Sequence, residues 1–455
     1  MRRRIMQALL RWKDKSNRQP LILNGARQVG KTYILKKFAQ EQFSNVVYFN
    51  LEHNLMAREL FEGSLDALPL IHNLEVVSHE HISANSTLII LDEIQSCPRA
   101  LTALKEFSEN ASQYHIVAAG SLLGVAINRE HYSFPVGKVD ELILYPMDFE
   151  EFLWAMNETQ LSDLIRAHYT SCEPMLNALH KRALELYRQY LIVGGMPAAV
   201  AQFSTTGSYL DVADVQQRVL NDYTADMAKY ADSSSAVKIR ACYNSIPAQL
   251  AKENHKFQYK VVQRGGSATI FGEAIEWLNY AGVVLKCDKI TEGSIPVAAY
   301  VDLSDFKLYM SDVGLLTLRS GMPTSMILSP LHEENTFLGA IAENYVAQAL
   351  VASGFHLYYW KSNNSAEVDF IIQQGSQVIP VEVKSGMNTR SRSLNVYCGR
   401  YKSQLAYRFS QKNFGLENGI MSLPLYAAFC LKYRGCCKTL DNNLEEVKRL
   451  EEPLH

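Results

Sequence analysis

The octapeptide GARQVGKT, residues 25–32, is the feature that most constrains how this 455-residue chain can fold. It matches the pattern G-x-x-x-x-G-K-[ST] and follows the apolar run at residues 21–23, which predicts a strand. Glycines let the backbone of such a loop approach a phosphate, and the helix that follows turns its positive N-terminus toward the same anion. The pattern therefore predicts a P-loop between a strand and a helix.

Two side chains of this loop have distinct predicted roles. Lys31 is expected to reach the β- and γ-phosphates of a nucleotide, and Thr32 to give an oxygen ligand to Mg²⁺. The residues expected to bind the nucleotide are Gly25, Ala26, Arg27, Gln28, Val29, Gly30, Lys31, Thr32 and Tyr33. The alternative is a chance match to the octapeptide pattern.

Two further strands are expected to end in polar side chains. Residues 87–91 are apolar and are followed by Asp92, which is expected near the metal, and by Glu93, which is expected to polarise water. The strand at 115–119 ends in Gly-Ser, and Ser121 is the candidate sensor of the γ-phosphate, although a Gly-Ser turn is also ordinary after a strand. The order of these motifs favours a nucleotide site over chance.

The composition is that of an ordinary soluble globular protein, with 47% apolar and 20% charged residues. The net charge of −2 means that any nucleic-acid contact must come from local basic patches. The eight cysteines form no C-x-x-C pair, which argues against a zinc site or a disulfide framework and favours the cytoplasm. No stretch approaches the ~20 apolar residues of a membrane span, so no membrane contact is expected.

The pattern along the chain predicts an α/β protein of several domains. Up to residue 150, apolar strands alternate with helical segments, which indicates a parallel sheet flanked by helices. The expected strands lie at residues 21–23, 46–51, 87–91, 115–119 and 141–145. Residues 151–235 then have a helical pattern.

The segment 236–330 shows the plan of a winged helix. Three short helices are expected, followed by a hairpin of strands at 282–285 and 297–300. The helices are expected at residues 246–251, 261–264 and 271–280. Lysine or arginine recurs every four residues in this segment, so a helix would present one basic stripe to the phosphates of DNA or RNA. The stripe consists of Lys252, Lys256, Lys260 and Arg264, and a solvated helix face would show the same pattern.

A second set of chemical residues follows residue 330. Glu343 lies at the edge of the apolar stripe of a helix expected over 336–354. Strand alternation at 378–384 places Glu382 and Lys384 on one face, and a hairpin through residues 374–375 would bring Asp369 near them.

A helical Glu, then Asp, then Glu-x-Lys is the arrangement of PD-(D/E)XK nucleases. This resemblance implies that Glu343, Asp369 and Glu382 hold Mg²⁺ and that Lys384 steadies the attacking hydroxide or the phosphate. The alternative for Glu382 and Lys384 is an ion pair on an exposed strand face. Such folds also serve as binding modules without cleavage.

The whole chain resembles the bacterial and archaeal family of AAA+ ATPases that couple a P-loop domain to a nuclease-like domain of uncharacterised function. The matching stretches are residues 25–32, 88–93, 144–152, 194–197, 306–309, 311–316, 342–346, 367–370 and 381–385. The resemblance implies ATP and Mg²⁺ as cofactors, with a homo-oligomer and DNA or RNA as expected partners. The expected domains are a P-loop AAA+ core at 1–150, a helical lid at 151–235, a winged-helix-like domain at 236–330 and a PD-(D/E)XK nuclease-like domain at 331–455.

One departure concerns hydrolysis. Members of the family often carry Gly-Arg where this chain has Gly137-Lys138, in a region where AAA+ proteins place an arginine finger. Lys138 supplies charge without the planar fork of arginine, and Arg129 is the other candidate, while either could be a surface cation. Two functions therefore remain: an ATPase that drives a nuclease, or a nucleotide-gated binding protein whose nuclease-like domain is inactive.

Overall fold

The computed structural model describes residues 1–121, 135, 137–229, 231–252, 255–329, 335–362, 366–387 and 392–432. Within these residues the strands form two sheets, one of five strands and one of eight. Every described helix is too short or too polar to cross a lipid bilayer.

The first sheet is parallel and lies near the N-terminus. Its strands are β1 (Leu21–Asn24), β2 (Asn45–Asn50), β3 (Thr87–Asp92), β4 (His115–Gly120) and β5 (Asp140–Ile143), in the order β2-β3-β4-β1-β5. Every residue of β3 and β4 is buried, as expected for parallel strands covered on both faces. The predicted parallel sheet is confirmed.

Helices cover this sheet and continue beyond it. The first five are α1 (Ile5–Lys13), α2 (Lys31–Gln42), α3 (Leu55–Glu59), α4 (Ala67–Ser78) and α5 (Pro98–Asn110). The helical stretch that follows contains α6 (Phe149–Ala155), α7 (Thr159–Ser171), α8 (Asn177–Val193), α9 (Pro197–Thr206), α10 (Tyr209–Lys229) and α11 (Ser233–Leu250). Asp232 caps α11 by accepting from the backbone N–H groups of Ser234 and Ser235 at 3.0 Å.

The second sheet contains the hairpin that was expected to be a wing. It is built from β6 (Val284–Ile290), β7 (Val301–Met310), β8 (Tyr358–Lys361), β9 (Glu367–Gln374), β10 (Gln377–Val383), β11 (Ala406–Ser410), β12 (Gly415–Glu417) and β13 (Ile420–Pro424). The order is β12-β13-β11-β10-β9-β8-β6-β7, because β6 pairs with β7 on one side and in parallel with β8 on the other.

The expectation of a free winged-helix hairpin is therefore wrong. The return strand begins at Val301, and residues Val297–Tyr300 form a 3₁₀ turn before it. Residue 330, the expected domain boundary, falls between strands of one sheet. The remaining helices are α12 (Tyr259–Val262), α13 (Ala268–Tyr280), α14 (Val313–Ser320), α15 (Thr324–Leu328), α16 (Thr336–Ala352) and α17 (Arg392–Tyr401).

The predicted basic stripe is also wrong, because its members do not share a helix. Lys252 follows the end of α11, whereas Lys260 lies in the short α12. Lys256 forms an isolated backbone bridge to Lys307 and an ion pair with Asp305. The four-residue spacing continues through a helix end and a turn, where it places no side chains on one face.

The edge of the second sheet is partly covered. The bridge at Lys256 lies along β7, and the Phe257 N–H donates to the Phe306 carbonyl at 2.9 Å. The start of β7 carries Asp302, which pairs with Lys289 of β6 at 3.1 Å. The other edge is β12, which has three residues.

One hydrophobic cluster joins the two sheets. It includes Leu21 of β1, Leu423 of β13 and residues of the helical stretch between the sheets in the chain, such as Tyr190 of α8. Within this cluster the ring of Tyr190 lies 5.8 Å from that of Tyr345, at 76° to it. The helical stretch therefore packs against both sheets.

Candidate functional site

The loop between β1 and α2 has the backbone that its glycines predict. Gly25 has a φ of +151° and Gly30 a φ of +94°. A Cβ on Gly25 would lie 2.3 Å from the carbonyl oxygen of Leu144, so a larger residue does not fit. Helix α2 then begins at Lys31, with its N-terminus toward the loop.

A cavity of about 520 Å³ opens beside this loop. Its lining includes six of the predicted nucleotide-binding residues, together with Glu93 and Ser121. The lining residues are Met1, Arg3, Arg27, Gln28, Gly30, Lys31, Thr32, Tyr33, Glu93, Ser121, Met147, Pro197 and Ala198. Gly25, Ala26 and Val29 contribute backbone carbonyls behind the cavity, which accept from Lys31 and Arg3.

Lys31 is buried at the base of the cavity, with 7% of its surface exposed. Its Nζ donates to the carbonyls of Gly25 and Ala26, each at 2.8 Å. Burial lowers the pKa of Lys31 to about 8, against the opposing effect of the Glu93 and Asp92 carboxylates. The ammonium thus lies in the loop with two neutral acceptors that a phosphate can replace.

Thr32 and Asp92 place two oxygen atoms that could ligate a metal next to each other. The Thr32 hydroxyl donates to Asp92 Oδ2 at 2.6 Å, and the Tyr48 hydroxyl donates to the same oxygen at 2.8 Å. A hydroxyl and a carboxylate fit the preference of Mg²⁺ for oxygen ligands. No group of three His, Cys, Asp or Glu side chains suited to a metal occurs in the described part of the chain.

Glu93 and Ser121 lie where β3 and β4 end. Glu93 has a left-handed backbone, with a φ of +53°, and its Oε2 accepts from Gln95 Nε2 at 2.5 Å. Ser121 is 4% exposed and follows the last residue of β4. Both residues line the same cavity as Lys31, as expected where parallel strands end together.

Helix α10 contacts the loop through residues that sequence patterns did not single out. Arg27 forms an ion pair with Asp226, and Gln28 donates to Asp222. The Tyr223 hydroxyl donates to the Arg27 carbonyl at 3.2 Å. Helix α10 therefore holds the loop through contacts to both its side chains and its backbone.

Arg3 is a second residue that no sequence pattern singled out. Its guanidinium donates to the Val29 carbonyl at 3.0 Å, to the Tyr145 carbonyl at 2.6 Å and to Glu151 Oε2 at 3.0 Å. Glu151 belongs to a capping box with Asp148 at the start of α6. Arg3 thereby connects the P-loop to helix α6.

Of the two candidate finger residues, Lys138 is described, and it does not line the cavity. Lys138 forms an ion pair with Glu109 at 3.0 Å on the surface. Arg129 lies outside the described residues.

Three of the predicted C-terminal residues come together across β9 and β10. The hairpin is confirmed, since Gln374 pairs with Gln377. Asp369 Oδ2 accepts from the Val383 N–H at 2.7 Å, and Lys384 Nζ lies 2.6 Å from Glu382 Oε1. Burial raises the pKa of Asp369 well above its usual range, and the neighbouring Glu343 and Glu382 carboxylates raise it further.

Glu343 does not have the free oxygens that metal ligation requires. Its Oε1 accepts from Lys307 Nζ at 2.9 Å and from the Tyr309 hydroxyl, and its Oε2 lies 2.7 Å from His255 Nδ1. Burial alone would raise the pKa of Glu343, but Lys307 and His255 hold it below its usual range. The expected metal role of Glu343 is not supported, because a buried ammonium already neutralises it.

Lys307 is a residue that the sequence patterns could not reveal. It is 1% exposed and also pairs with Glu367 at 2.9 Å. A lysine on a strand is ordinarily a surface residue, so only the packing of α16 on β7 reveals its partners.

Family comparisons agree with the geometry of the first site. Residues 17–153 match the family described as AAA domain. Residues 184–325 match a domain of unknown function, DUF8612, and residues 338–427 match another, DUF4143. No curated protein matches the chain.

Several solved structures are similar over much of their length. The Walker-type ATPase PABY2304 of Pyrococcus abyssi is 12% identical, with a TM-score of 0.44, over 70% of this chain and 95% of that one. The Aeropyrum pernix ORC2 protein, in ADPNP-ADP complexes, is 12% identical, with a TM-score of 0.34, over 77% of this chain and 93% of its own. A single-residue variant of Thermotoga maritima RuvB is 12% identical, with a TM-score of 0.30, over 62% of this chain and 85% of its own.

Proposed function

We propose that the chain binds ATP and hydrolyses it with Mg²⁺. The observation that carries this proposal is that Lys31, Thr32 and Glu93 line one cavity beside a glycine loop. The AAA domain match over the same residues supports it.

Each residue has a role that follows from its position. Lys31 exchanges its two carbonyl acceptors for phosphate oxygens, and Thr32 with Asp92 holds Mg²⁺, which neutralises phosphate charge. Glu93 orients the attacking water, while Ser121 contacts the γ-phosphate from the end of β4.

Two substitutions test this proposal. Lys31→Ala should lose most of its ATP affinity, whereas Glu93→Gln should bind ATP and turn it over at least about tenfold more slowly. Lys37→Ala is a matched control, because Lys37 lies on the same helix and forms only a surface pair with Glu41 at 3.7 Å. Binding is measured by calorimetry and turnover by phosphate release. A Glu93→Gln variant with the wild-type rate would exclude Glu93 as the catalytic carboxylate.

A second function is proposed for the C-terminal sheet, namely Mg²⁺-dependent cleavage of nucleic acid. It is favoured by one observation: Glu382 is 3% exposed, and its Oε2 has no hydrogen-bond partner among the residues that the structure describes. Asp369 and Glu382 would hold the ion through hard oxygen ligands, and Lys384 would steady the phosphate. Glu343 is left out of this set because Lys307 occupies it.

The test uses duplex, single-stranded and branched DNA and RNA with Mg²⁺. Cleavage should disappear in Asp369→Asn while ATP binding persists, and Asp163→Asn on the surface of α7 is the control. If no substrate is cut, the alternative function follows: a nucleotide-gated switch whose nuclease-like domain, PD-(D/E)XK in type, only binds.

For the domain organisation, we propose an AAA+ core at 1–150 with a helical lid at 151–235, supported by Pro197 and Ala198 in the cavity lining. Residues 236–330 and 331–455 are proposed to act together on DNA or RNA, supported by their shared sheet. A cytoplasmic location is supported by the free thiols of the described cysteines, and a homo-oligomer is to be tested by light scattering with ATP.

A further inference from the structure

We propose that Arg27 serves its own chain as the guanidinium that stabilises the transferring γ-phosphoryl group, and that Asp226 holds this guanidinium between turnovers. The proposal rests on the ATPase function above. It names the residue that would replace an arginine finger from a neighbouring subunit.

Arg27 is the third residue of the P-loop octapeptide, and it lines the nucleotide cavity together with Glu93 and Ser121. A small adjoining cavity is lined by Arg27, Ser121 and Asp226. Arg27 therefore lies in the same part of the site as Glu93, the proposed catalytic carboxylate, and Ser121, the proposed sensor of the γ-phosphate.

The Arg27 side chain is partly exposed and forms an ion pair. It is 41% exposed, and its partner is Asp226 of α10. Asp226 itself is 5% exposed, so the pair is open to solvent only on the Arg27 side, where a guanidinium can bind phosphate oxygens through two parallel hydrogen bonds. The backbone of Arg27 is held separately by the Tyr223 hydroxyl, so the side chain can change partner without moving the loop.

Two other cations, Arg3 and Lys138, already have partners. Arg3 also lines the cavity, but its guanidinium already donates to Glu151 and to the carbonyls of Val29 and Tyr145. Lys138 is paired with Glu109 outside the cavity lining. Among the described arginines that line the cavity, Arg27 is thus the one whose donors can turn to a phosphate.

The chemical step is ordinary hydrolysis. The water oxygen bonds to the γ-phosphorus as the bond to the β,γ-bridging oxygen breaks, and ADP leaves with that electron pair. The proton of the water passes to Glu93. Arg27 leaves Asp226 and donates N–H groups to the γ-phosphoryl oxygens, where negative charge is concentrated in the transition state.

The main test separates kcat from ATP affinity. Arginine fingers contribute about 10³- to 10⁵-fold to kcat, so Arg27→Ala should lose at least about 100-fold in kcat while ATP affinity changes a few-fold. Arg27→Lys should recover only part of the loss, since lysine lacks the planar fork. Arg240→Ala, on the exposed face of α11, controls for the loss of an arginine.

The partner variant distinguishes catalysis from a structural ion pair. Asp226→Asn frees Arg27 and should raise kcat, whereas a purely structural pair predicts the same loss from Asp226→Asn as from Arg27→Ala. The rate per chain should also stay constant when the protein is diluted, because the guanidinium belongs to the same chain.

The results that would overturn the role of Arg27 differ from those that would overturn the ATPase proposal. Arg27→Ala with the wild-type kcat, or equal losses in Arg27→Ala and Asp226→Asn, overturns the role of Arg27 and leaves the ATPase proposal intact. A rate that falls on dilution and is abolished by Lys138→Ala would assign the finger to a neighbouring subunit. A wild-type chain that binds no ATP overturns both proposals.

Discussion

His115 opens β4 with a buried imidazole, 4% exposed, between two aromatic rings. Its ring centroid lies 5.9 Å from that of Trp12 and 4.9 Å from that of Phe43, both nearly edge-on. Within the described parts of the chain, its Nδ1 has no hydrogen-bond partner. The surroundings therefore favour the neutral form of the ring.

This burial predicts a pH dependence of stability. Burial, with a smaller effect from the nearby Arg18 and Lys13, lowers the pKa of His115 from 6.5 to about 4. Between pH 6.5 and about 4, His115 is protonated in the unfolded chain and neutral in the folded chain. The free energy of unfolding therefore falls as the pH drops from about 6.5 through about 4. His115→Phe should flatten this slope in urea unfolding at a series of pH values from neutral to mildly acidic.

The control for this slope is His72→Phe. His72 is exposed and its ring lies 3.4 Å from Glu75, so its removal should leave the slope of the wild type. An unchanged slope in His115→Phe would assign the acid sensitivity to other groups.

At the scale of single residues, sequence patterns were informative wherever a motif is local. Lys31, Thr32 and Glu93 lie in or just after short patterns, and the structure brings them into one cavity. Arg27 and Asp226 are 199 positions apart, and their pairing depends on how α10 packs on the loop. No periodicity along the chain encodes such a contact.

The turn between α8 and α9 shows how closely two elements can approach. Gly194 ends α8 with a φ of +69°, and a Cβ there would lie 2.2 Å from Asp312 Oδ1. Asp312 caps α14 and accepts from the Gly195 N–H at 2.6 Å and from the Leu315 N–H at 2.9 Å. The backbone of this turn therefore packs directly against the buried Asp312 carboxylate, with no room for a side chain on Gly194.

Gly194→Ala tests this contact against a matched glycine. It should cost more than about 3 kcal/mol of unfolding free energy, because the methyl group collides with a buried carboxylate. Gly207→Ala has a similar φ of +65° with nothing within 4 Å, so it should cost only about 1 kcal/mol. Chemical denaturation measures both. Equal costs would show that the left-handed backbone alone explains the effect.

At the scale of elements, the existence of strands was predictable and their order was not. The β9–β10 hairpin joins neighbours in sequence across Gly375, so its pairing follows from the local turn. The parallel pairing of β6 with β8 joins segments separated by α14, α15 and α16. The expected wing failed for this reason, because an isolated hairpin and a hairpin inside a sheet share the same local pattern.

Across the whole molecule, the P-loop and the second sheet are in direct contact. Gly282, just before β6, lies against the loop, and a Cβ on it would be 3.5 Å from the Ala26 nitrogen. Strand β6 continues from this point to pair with β7, which carries Lys307 and Tyr309. A change in the P-loop backbone on nucleotide binding would therefore reach Gly282, next to the start of β6.

This contact predicts that nucleotide binding stabilises β6. Hydrogen exchange of the β6 amides should slow when a non-hydrolysable ATP analogue with Mg²⁺ is added, because binding to the folded state opposes local opening. The short β12 at the other end of the sheet should change less. Lys31→Ala, which is expected to lose the analogue, should show no effect in either strand. Saturating analogue with unchanged exchange in β6 would contradict the coupling.

The two edges of the eight-stranded sheet have a consequence for self-association. An exposed edge offers unpaired backbone groups to another chain, and proteins block this route with charges, short strands and covering segments. Here the Lys256 bridge covers part of β7, Asp302 and Lys289 place charges at its start, and β12 has only three residues. The sheet is thereby protected against edge-to-edge aggregation, and replacing Asp302 with valine would remove part of this protection from β7.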